Sequence, residues 1–454
     1  MPLKVIILAA GKGTRMRSSL PKVLQPLALK PLIRHVVDTA SALACDEMIT
    51  VVGHGADQVM SALSDVSVSF VEQHQQLGTG HAVQQALPHI ADEDRVLILY
   101  GDVPLTRAET LQDLLSLVDE RHPLALLTID LEDATGYGRI LRDVHHSVQA
   151  IVEEKDATAS QKTIQEANTG ILAASGRHLR DWLSRLSNTN AQGEYYLTDI
   201  IAMCVADGFN VHTTQPMSAL EVLGVNDKAQ LQGLERQYQR ALADALMAQG
   251  VTLLDASRVD IRGNLQVGQD VQIDANVVLE GDVRLGNRVV IESNCVIKDA
   301  VIADNTVIHA FSHLEAVTIG QACQIGPYAR LRPGTELANR VKIGNFVETK
   351  KARIGEDSKV NHLSYVGDTL MGQKVNIGAG TITCNYDGVN KHQTVIGNEV
   401  FVGSDTQLIA PVTVHDGATI GAGSTITKDA PAQTLTLSRA KQHSFQDWQR
   451  PVKK

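Results

Sequence analysis

The chain has 454 residues and a formal charge of −10; that length exceeds one ordinary hydrophobic core and calls for two or three units. The negative balance disfavours tight nonspecific binding to nucleic acid, which rests on neutralising many phosphates, but leaves room for small phosphorylated ligands. No run approaches the ~20 apolar residues of a membrane span and the N-terminus lacks a signal-peptide pattern, so a cytoplasmic protein with no membrane partner is expected.

In the first half, short apolar runs alternate with helical patterns: KVIILAAG from Lys4, LIRHVVDTASALA from Leu32, MITVVGH from Met48 and RVLILYGD from Arg95. Such alternation predicts a parallel sheet covered by helices. The first run leads into LAAGKGTRM, Leu8 to Met16. It is not a P-loop, because Gly-Lys-Ser/Thr is absent, and Met16 stands where a dinucleotide fingerprint puts its third glycine. Gly11 and Gly13 are expected to turn the backbone off the strand and present N–H groups, with Arg15 and Lys22 supplying charge for a triphosphate. The alternative is a glycine-rich turn with solvated basic residues. Ligands of an open parallel sheet sit outside the carboxyl ends of its strands, so Asp102, closing LYGD, is expected to aim into a cleft.

From Asp227 to Gly250, Leu231, Leu234, Tyr238, Leu242 and Leu246 recur at spacings of three and four, predicting one amphipathic connecting helix. Asn226, just before it, reads locally as a ligand-site residue or as a helix N-cap. Beyond the helix an aliphatic residue recurs every six positions. Val267, Ile273, Leu279, Leu285, Ile291 and Ile297 form one register, and Ile319, Ile325, Leu331, Leu337 and Ile343 a second. Ile396, Val402, Leu408, Val414, Ile420 and Ile426 form a third. This period is a signature of a parallel β-helix whose aliphatics stack inward, and the 4% aromatic content suits a narrow coil. The five cysteines, Cys45, Cys204, Cys295, Cys323 and Cys384, match no metal knuckle and read as reduced apolar residues.

The hexapeptide half resembles left-handed β-helix acyltransferases, and the first half resembles sugar-1-phosphate nucleotidylyltransferases. Together, over essentially the whole chain, they resemble the bacterial bifunctional N-acetylglucosamine-1-phosphate uridyltransferase/glucosamine-1-phosphate acetyltransferases. The family signature L-x-x-G-x-G-T-R, with P-K five residues on, is met by Leu8, Gly11, Gly13, Thr14, Arg15, Pro21 and Lys22. The resemblance implies a Rossmann-like α/β nucleotidyltransferase domain over residues 1–229, a linker helix over 230–250 and a left-handed β-helix over 251–454. It implies UTP, acetyl-CoA and glucosamine-1-phosphate as substrates, Mg²⁺ on Asp102 and Asn226, and a homotrimer supplying cell-wall precursors.

Residue by residue, the resemblance assigns Leu8, Ala9, Ala10, Gly11, Lys22, Gln73, Gly78, Thr79, Tyr100, Gly101 and Asp102 to nucleotide and sugar binding. Gly138, Glu153 and Asn168 go with the amino sugar, Glu154 remaining a competitor of Glu153, and Arg15 and Lys22 are the catalytic cations. In the second half a base near neutrality is needed to deprotonate an amine, and His362 in VNHLSY is the candidate. Arg332, Lys350, Tyr365 and Asn376 match acceptor-sugar positions, and Glu348 is expected to orient or charge-stabilise the imidazole. Ala379, Asn385, Tyr386, Ser404, Ala422 and Arg439 match the acetyl-CoA site. The stretch between Ile377 and Ile396 breaks the six-residue register and is expected to project as a loop. Two rivals stay in view: a nucleotidylyltransferase whose β-helix only oligomerises, and a non-catalytic regulator of the same domain pair.

Overall fold

The computed structural model describes residues 1–453. The chain divides into Met1–Tyr238 and Gln239–Lys454. The boundary falls inside the helix Lys228–Ala248. Among the described residues no helix is long and apolar enough to cross a membrane.

The first unit is built on a mixed sheet. Its path runs His212–Thr214, Leu124–Asp130, Glu166–Ser175, Arg95–Tyr100, Leu3–Ala9, Glu47–Val52 and Ser69–Glu72. The strand Leu3–Ala9 pairs in parallel with both neighbours. Glu166–Ser175, however, is antiparallel to the strands on either side, and a hairpin of Arg139–Arg142 and Val148–Val152 extends from it. The expectation of a parallel sheet is corrected at this point. A strand buried on both faces reads as an apolar run whichever way it points, so periodicity carries no direction. Both faces are covered: Val5, Ile7 and Leu97 enter one core, while Ile6, Leu8 and Ile98 enter the other.

The second unit is a stack of parallel coils. Val259 pairs with Val277, 18 residues on, and Val296 with His313, 17 on, so one coil is three hexapeptides. Two long ladders result, of 11 and 13 strands. The predicted hexad aliphatics point inward; Ile273, Ile291, Ile325, Leu331, Leu408 and Ile420 are fully buried. Val267 is only partly buried, packed at the edge of that core. Smaller residues also point inward on the coil faces, among them Cys295, Thr306, Cys323, Thr335, Ser358, Thr381 and Ser424, and the hydroxyl-bearing ones were not anticipated. Most such hydroxyls find backbone partners, as when Thr306 Oγ1 donates to Gly320 O and Ser358 Oγ to Gly372 O, while those of buried Ser312 and Thr394 find none. That satisfaction is what lets polar residues sit inside the coil.

In the connecting helix, Leu234 packs with Met16, Leu27, Leu32 and Val225 in the first unit. Leu246 joins the coil core of the second.

Candidate functional site

In the first unit a cleft of about 380 Å³ opens at the carboxyl ends of the strands. Leu8, Ala9, Ala10 and Gly11 form one wall as the first strand ends, and Tyr100 ends the neighbouring strand. Gly101 N–H donates to Leu8 O at 3.0 Å, tying the two strand ends together. Asp102 follows. Its backbone carbonyl accepts from Val225 N at 3.1 Å, which brings Asn226 alongside.

Four side chains meet here. Lys22 Nζ donates to Asp102 Oδ2 and lies 3.4 Å from Asn226 Oδ1, while Arg15 Nη2 donates to the same amide oxygen at 2.9 Å. The two roles open for Asn226 are now separated. Asp227, not Asn226, caps the helix, its Oδ1 accepting from Gln230 N at 2.8 Å. The glycines separate too. Gly13 has φ 56° and ψ 37°, a left-handed turn, whereas Gly11 is not left-handed and has no atom within 4 Å of an added Cβ. Gly11 thus keeps the cleft wall open and does not make the turn, correcting the expectation that both glycines do so.

Further along the cleft, buried Gln73 holds the next loop, its Nε2 donating to Gly78 O at 3.1 Å. Gly78 has φ 112°, and a Cβ there would lie 2.5 Å from Tyr195 O, so only glycine fits. Thr79 Oγ1 accepts from Leu197 N. Burial, then the charges of Glu153 and Asp102, push the Tyr100 phenol upward, and a second cluster gathers around Glu153. There a Cβ on Gly138 would be 3.5 Å from Glu153 Oε2 and 3.6 Å from Asn168 Cβ. Glu153 accepts from Thr198 Oγ1 at 2.9 Å, and burial raises its carboxyl. Glu154 is instead paired with Arg139 and Lys162. Of the two, Glu153 is the carboxylate beside Gly138, and Glu154 the one paired with cations. Gln76 and Glu194 also line the cleft and were not singled out from sequence. Gln76 stands in the EQHQQLGTG run, but Glu194 returns from a distant loop with no local motif.

Among the described residues no group of three or more His, Cys, Asp or Glu could hold a metal. A divalent cation at Asp102 and Asn226 would have two hard oxygen donors. Both already face one cationic centre, the Lys22 ammonium. Two protein oxygens suit Mg²⁺, which keeps waters and substrate oxygens for its remaining positions.

The second unit carries the other constellation along coil corners. Asn345 and His362 are register partners. Gly380 N–H then donates to His362 O, and Asp405 N–H to Ala379 O. Gly423 N–H donates to Ser404 O, and Arg439 Nη1 to Ala422 O at 3.0 Å. His362, Ala379, Ser404, Ala422 and Arg439 thus form one column, a continuous edge on which an extended coenzyme can lie. On the adjoining face Glu348 pairs with Tyr365, and Arg332 N–H donates to Thr349 O beside Lys350. Asn376 lies elsewhere, in a groove lined by Lys342, Lys359 and Lys374.

Glu348 does not touch the imidazole. Its Oε1 accepts from Arg332 Nη1 at 2.8 Å, and His362 Nδ1 is bonded by Asn345 Oδ1 at 2.8 Å instead. The expected projecting loop is present: Tyr365 pairs with Ile382, 17 residues on, but Thr369 pairs with Thr394, 25 on. Its base is closed by Asn385 O, which accepts from His392 N at 2.8 Å. Asn385 is 5% exposed and donates to Asp368 and Tyr365, so its side chain anchors the loop; Tyr386 is exposed, with Lys391 Nζ 4.3 Å above its ring.

A nucleotide-sized cleft at the strand ends of an α/β sheet, followed in one chain by a hexapeptide β-helix, defines a transferase of two catalytic modules. Family models agree: a MobA-like NTP transferase domain matches residues 5–188, a GMPPB C-terminal domain 261–354, and six repeats of the bacterial transferase hexapeptide 393–428. The Bifunctional protein GlmU of Hydrogenovibrio crunogenus is 68% identical over 453 residues, covering 100% of both chains. Those of Marinobacter nauticus and Cellvibrio japonicus are 61% and 60% identical, covering 100% of this chain and 99% and 100% of theirs. The chain belongs to the family of bifunctional GlmU proteins.

Proposed function

We propose that the chain carries out two steps of UDP-N-acetylglucosamine synthesis, acetylating glucosamine-1-phosphate with acetyl-CoA and then transferring UMP from UTP to the product. What carries this reading is full-length family membership together with two intact residue constellations, one in each unit. Both rivals fare worse. An oligomerising β-helix has no use for the column from His362 to Arg439, and a regulator has none for the Lys22, Asp102 and Asn226 cluster.

In uridylyl transfer a sugar-phosphate oxygen attacks the α-phosphorus of UTP, the bond to the β-phosphate breaks and pyrophosphate leaves. The nucleophile is already ionised, so positioning and charge carry the catalysis. Arg15 and Lys22 would neutralise phosphate charge, Gly11 and Gly78 would admit the nucleotide, and Glu153 with Asn168 would hold the amino sugar. Asp102 and Asn226 would hold Mg²⁺, which supplies Lewis-acid charge to phosphate oxygens when bound.

In acetyl transfer the amine attacks the thioester carbonyl; the C–N bond forms, the C–S bond breaks and coenzyme A leaves as thiol. His362 takes the amine proton on Nε2. Arg332 and Lys350 would clamp the sugar phosphate, and the loop at Asn385 and Tyr386 would cover the coenzyme. A homotrimer fits this arrangement, because Asn376 lies off the face that bears Arg332, Lys350 and Tyr365. Both donors are cytoplasmic metabolites, which puts the reaction there. Supplying acetyl-CoA, glucosamine-1-phosphate, UTP and Mg²⁺ and identifying every product tests the reading: UDP-N-acetylglucosamine, pyrophosphate and free coenzyme A are expected, and absence of either transfer overturns it.

A further inference from the structure

The contact at His362 holds chemical information beyond its length. Asn345 sits one coil before the histidine, and the two are register partners in adjacent parallel strands. Their separation is set by the coil and not by a flexible loop: Leu363 N–H donates to Asn345 O at 3.1 Å. The neighbouring Gly344 packs so closely that a Cβ there would lie 2.0 Å from Asn361 O. Phe346, at φ 55°, turns the chain immediately after.

Asn345 Oδ1 lies 2.8 Å from His362 Nδ1. An amide oxygen only accepts, so this is a hydrogen bond only when Nδ1 carries the proton. A neutral imidazole has one ring proton, and its placement on Nδ1 leaves Nε2 with a free lone pair. Among the described residues no other neighbour does this work. Glu348 is held by Arg332, and the Ser364 hydroxyl donates to the His362 carbonyl, not to its ring. The amide also differs from the carboxylate often found behind a reactive histidine. It selects the tautomer without setting a full negative charge behind the ring.

We infer that Asn345 is a positioning residue for acetyl transfer, holding His362 as the Nδ1–H tautomer with Nε2 turned out as the base. This rests on His362 being that base. Asn345 touches neither substrate nor coenzyme in this reading; it acts only through the ring.

The test uses the full-length protein labelled with ¹⁵N-histidine, the His362 signals being assigned by their absence from His362→Ala. The wild type at a pH where the ring is neutral should show a protonated Nδ1 and an unprotonated Nε2. Asn345→Ala should shift His362 toward the other tautomer and lower kcat for acetyl transfer by about 10–100-fold, the same order as losing the outer-shell partner of a metal-bound histidine. KM for glucosamine-1-phosphate and for acetyl-CoA should stay nearly unchanged. Asn345→Asp, which still accepts from Nδ1–H, should keep the tautomer and recover most of the rate at a pH where the ring is neutral. An Nε2–H tautomer in the wild type overturns the inference, as does a native kcat in Asn345→Ala, or a lowered kcat with the tautomer unmoved. If Asn345→Ala does not fold, the wild-type spectrum and Asn345→Asp still decide. Failure of the underlying reading is seen separately, as near-native acetyl transfer in His362→Ala.

Discussion

Gly13→Ala would cost the first active site its geometry through a single methyl group. The residue lies at φ 56° and ψ 37°, and an added Cβ would stand 2.7 Å from Lys22 Cβ, with Lys22 Cα and Cγ at 3.6 Å. Two carbons at rest are about 3.5–4.0 Å apart, so Lys22 must retreat by about 1 Å. The atom struck is next to the backbone, so rotating the far end of the lysine does not relieve the clash. Holding a non-glycine residue in the left-handed region adds about 1–2 kcal/mol. The first unit should therefore melt roughly 2–8 °C lower, at about 2–4 °C per kcal/mol for a unit of this size. The larger effect falls on catalysis. Lys22 bridges Asp102 and Asn226, and a misplacement of about 1 Å at such a group costs about 10²-fold. Pyrophosphate release from UTP and N-acetylglucosamine-1-phosphate should fall by that factor, while acetyl transfer by the same preparation stays native. Gly11→Ala is the control, since nothing lies within 4 Å of its added Cβ: stability should be unchanged and KM for UTP raised. Native uridylyl kcat in folded Gly13→Ala would refute the link from this turn to Lys22.

Asp102→Ala should abolish Mg²⁺-dependent uridylyl transfer and leave acetyl transfer intact; an unchanged uridylyl rate in a folded variant sinks the metal assignment. His362→Ala should lower acetyl transfer by about 10²–10⁴-fold, the range for a positioned general base. Uridylyl transfer from pre-formed N-acetylglucosamine-1-phosphate, measured in the same variant, should persist. Glu47 provides a pH test of stability: burial opposes its ionisation, but hydrogen bonds from Lys4, Ser69 and His89 win and bring its carboxyl down to about 2. A depressed carboxyl stabilises the fold above its unfolded value near 4.5, and that contribution is lost as pH falls toward 2. Denaturant melts should show Glu47→Gln less stable at pH 7 and less acid-sensitive between pH 4.5 and 2; parallel curves for the two proteins would contradict this.

The coil was legible because its rule is local and repeated. An inward aliphatic every six residues needs no knowledge of what lies elsewhere in the chain, and each coil packs only on its neighbours. The break in that register likewise announced the loop that Asn385 anchors. The turn at Gly13, the cations Arg15 and Lys22 and the strand-end Asp102 were readable because strand, glycine turn and charge lie within short stretches. What tertiary structure alone decided depends on groups far apart in sequence. The direction of Glu166–Ser175 was hidden because a doubly buried strand is apolar either way. Glu153 was separated from Glu154 only when Thr198 met one carboxylate and Arg139 the other. Asn226 was freed from capping by its neighbour Asp227 and received Arg15 from 211 residues away. Asn345 was chosen over Glu348 as the partner of His362 because coil register, a property of stacked chains and not of spacing along one, sets which side chain lies beside the ring.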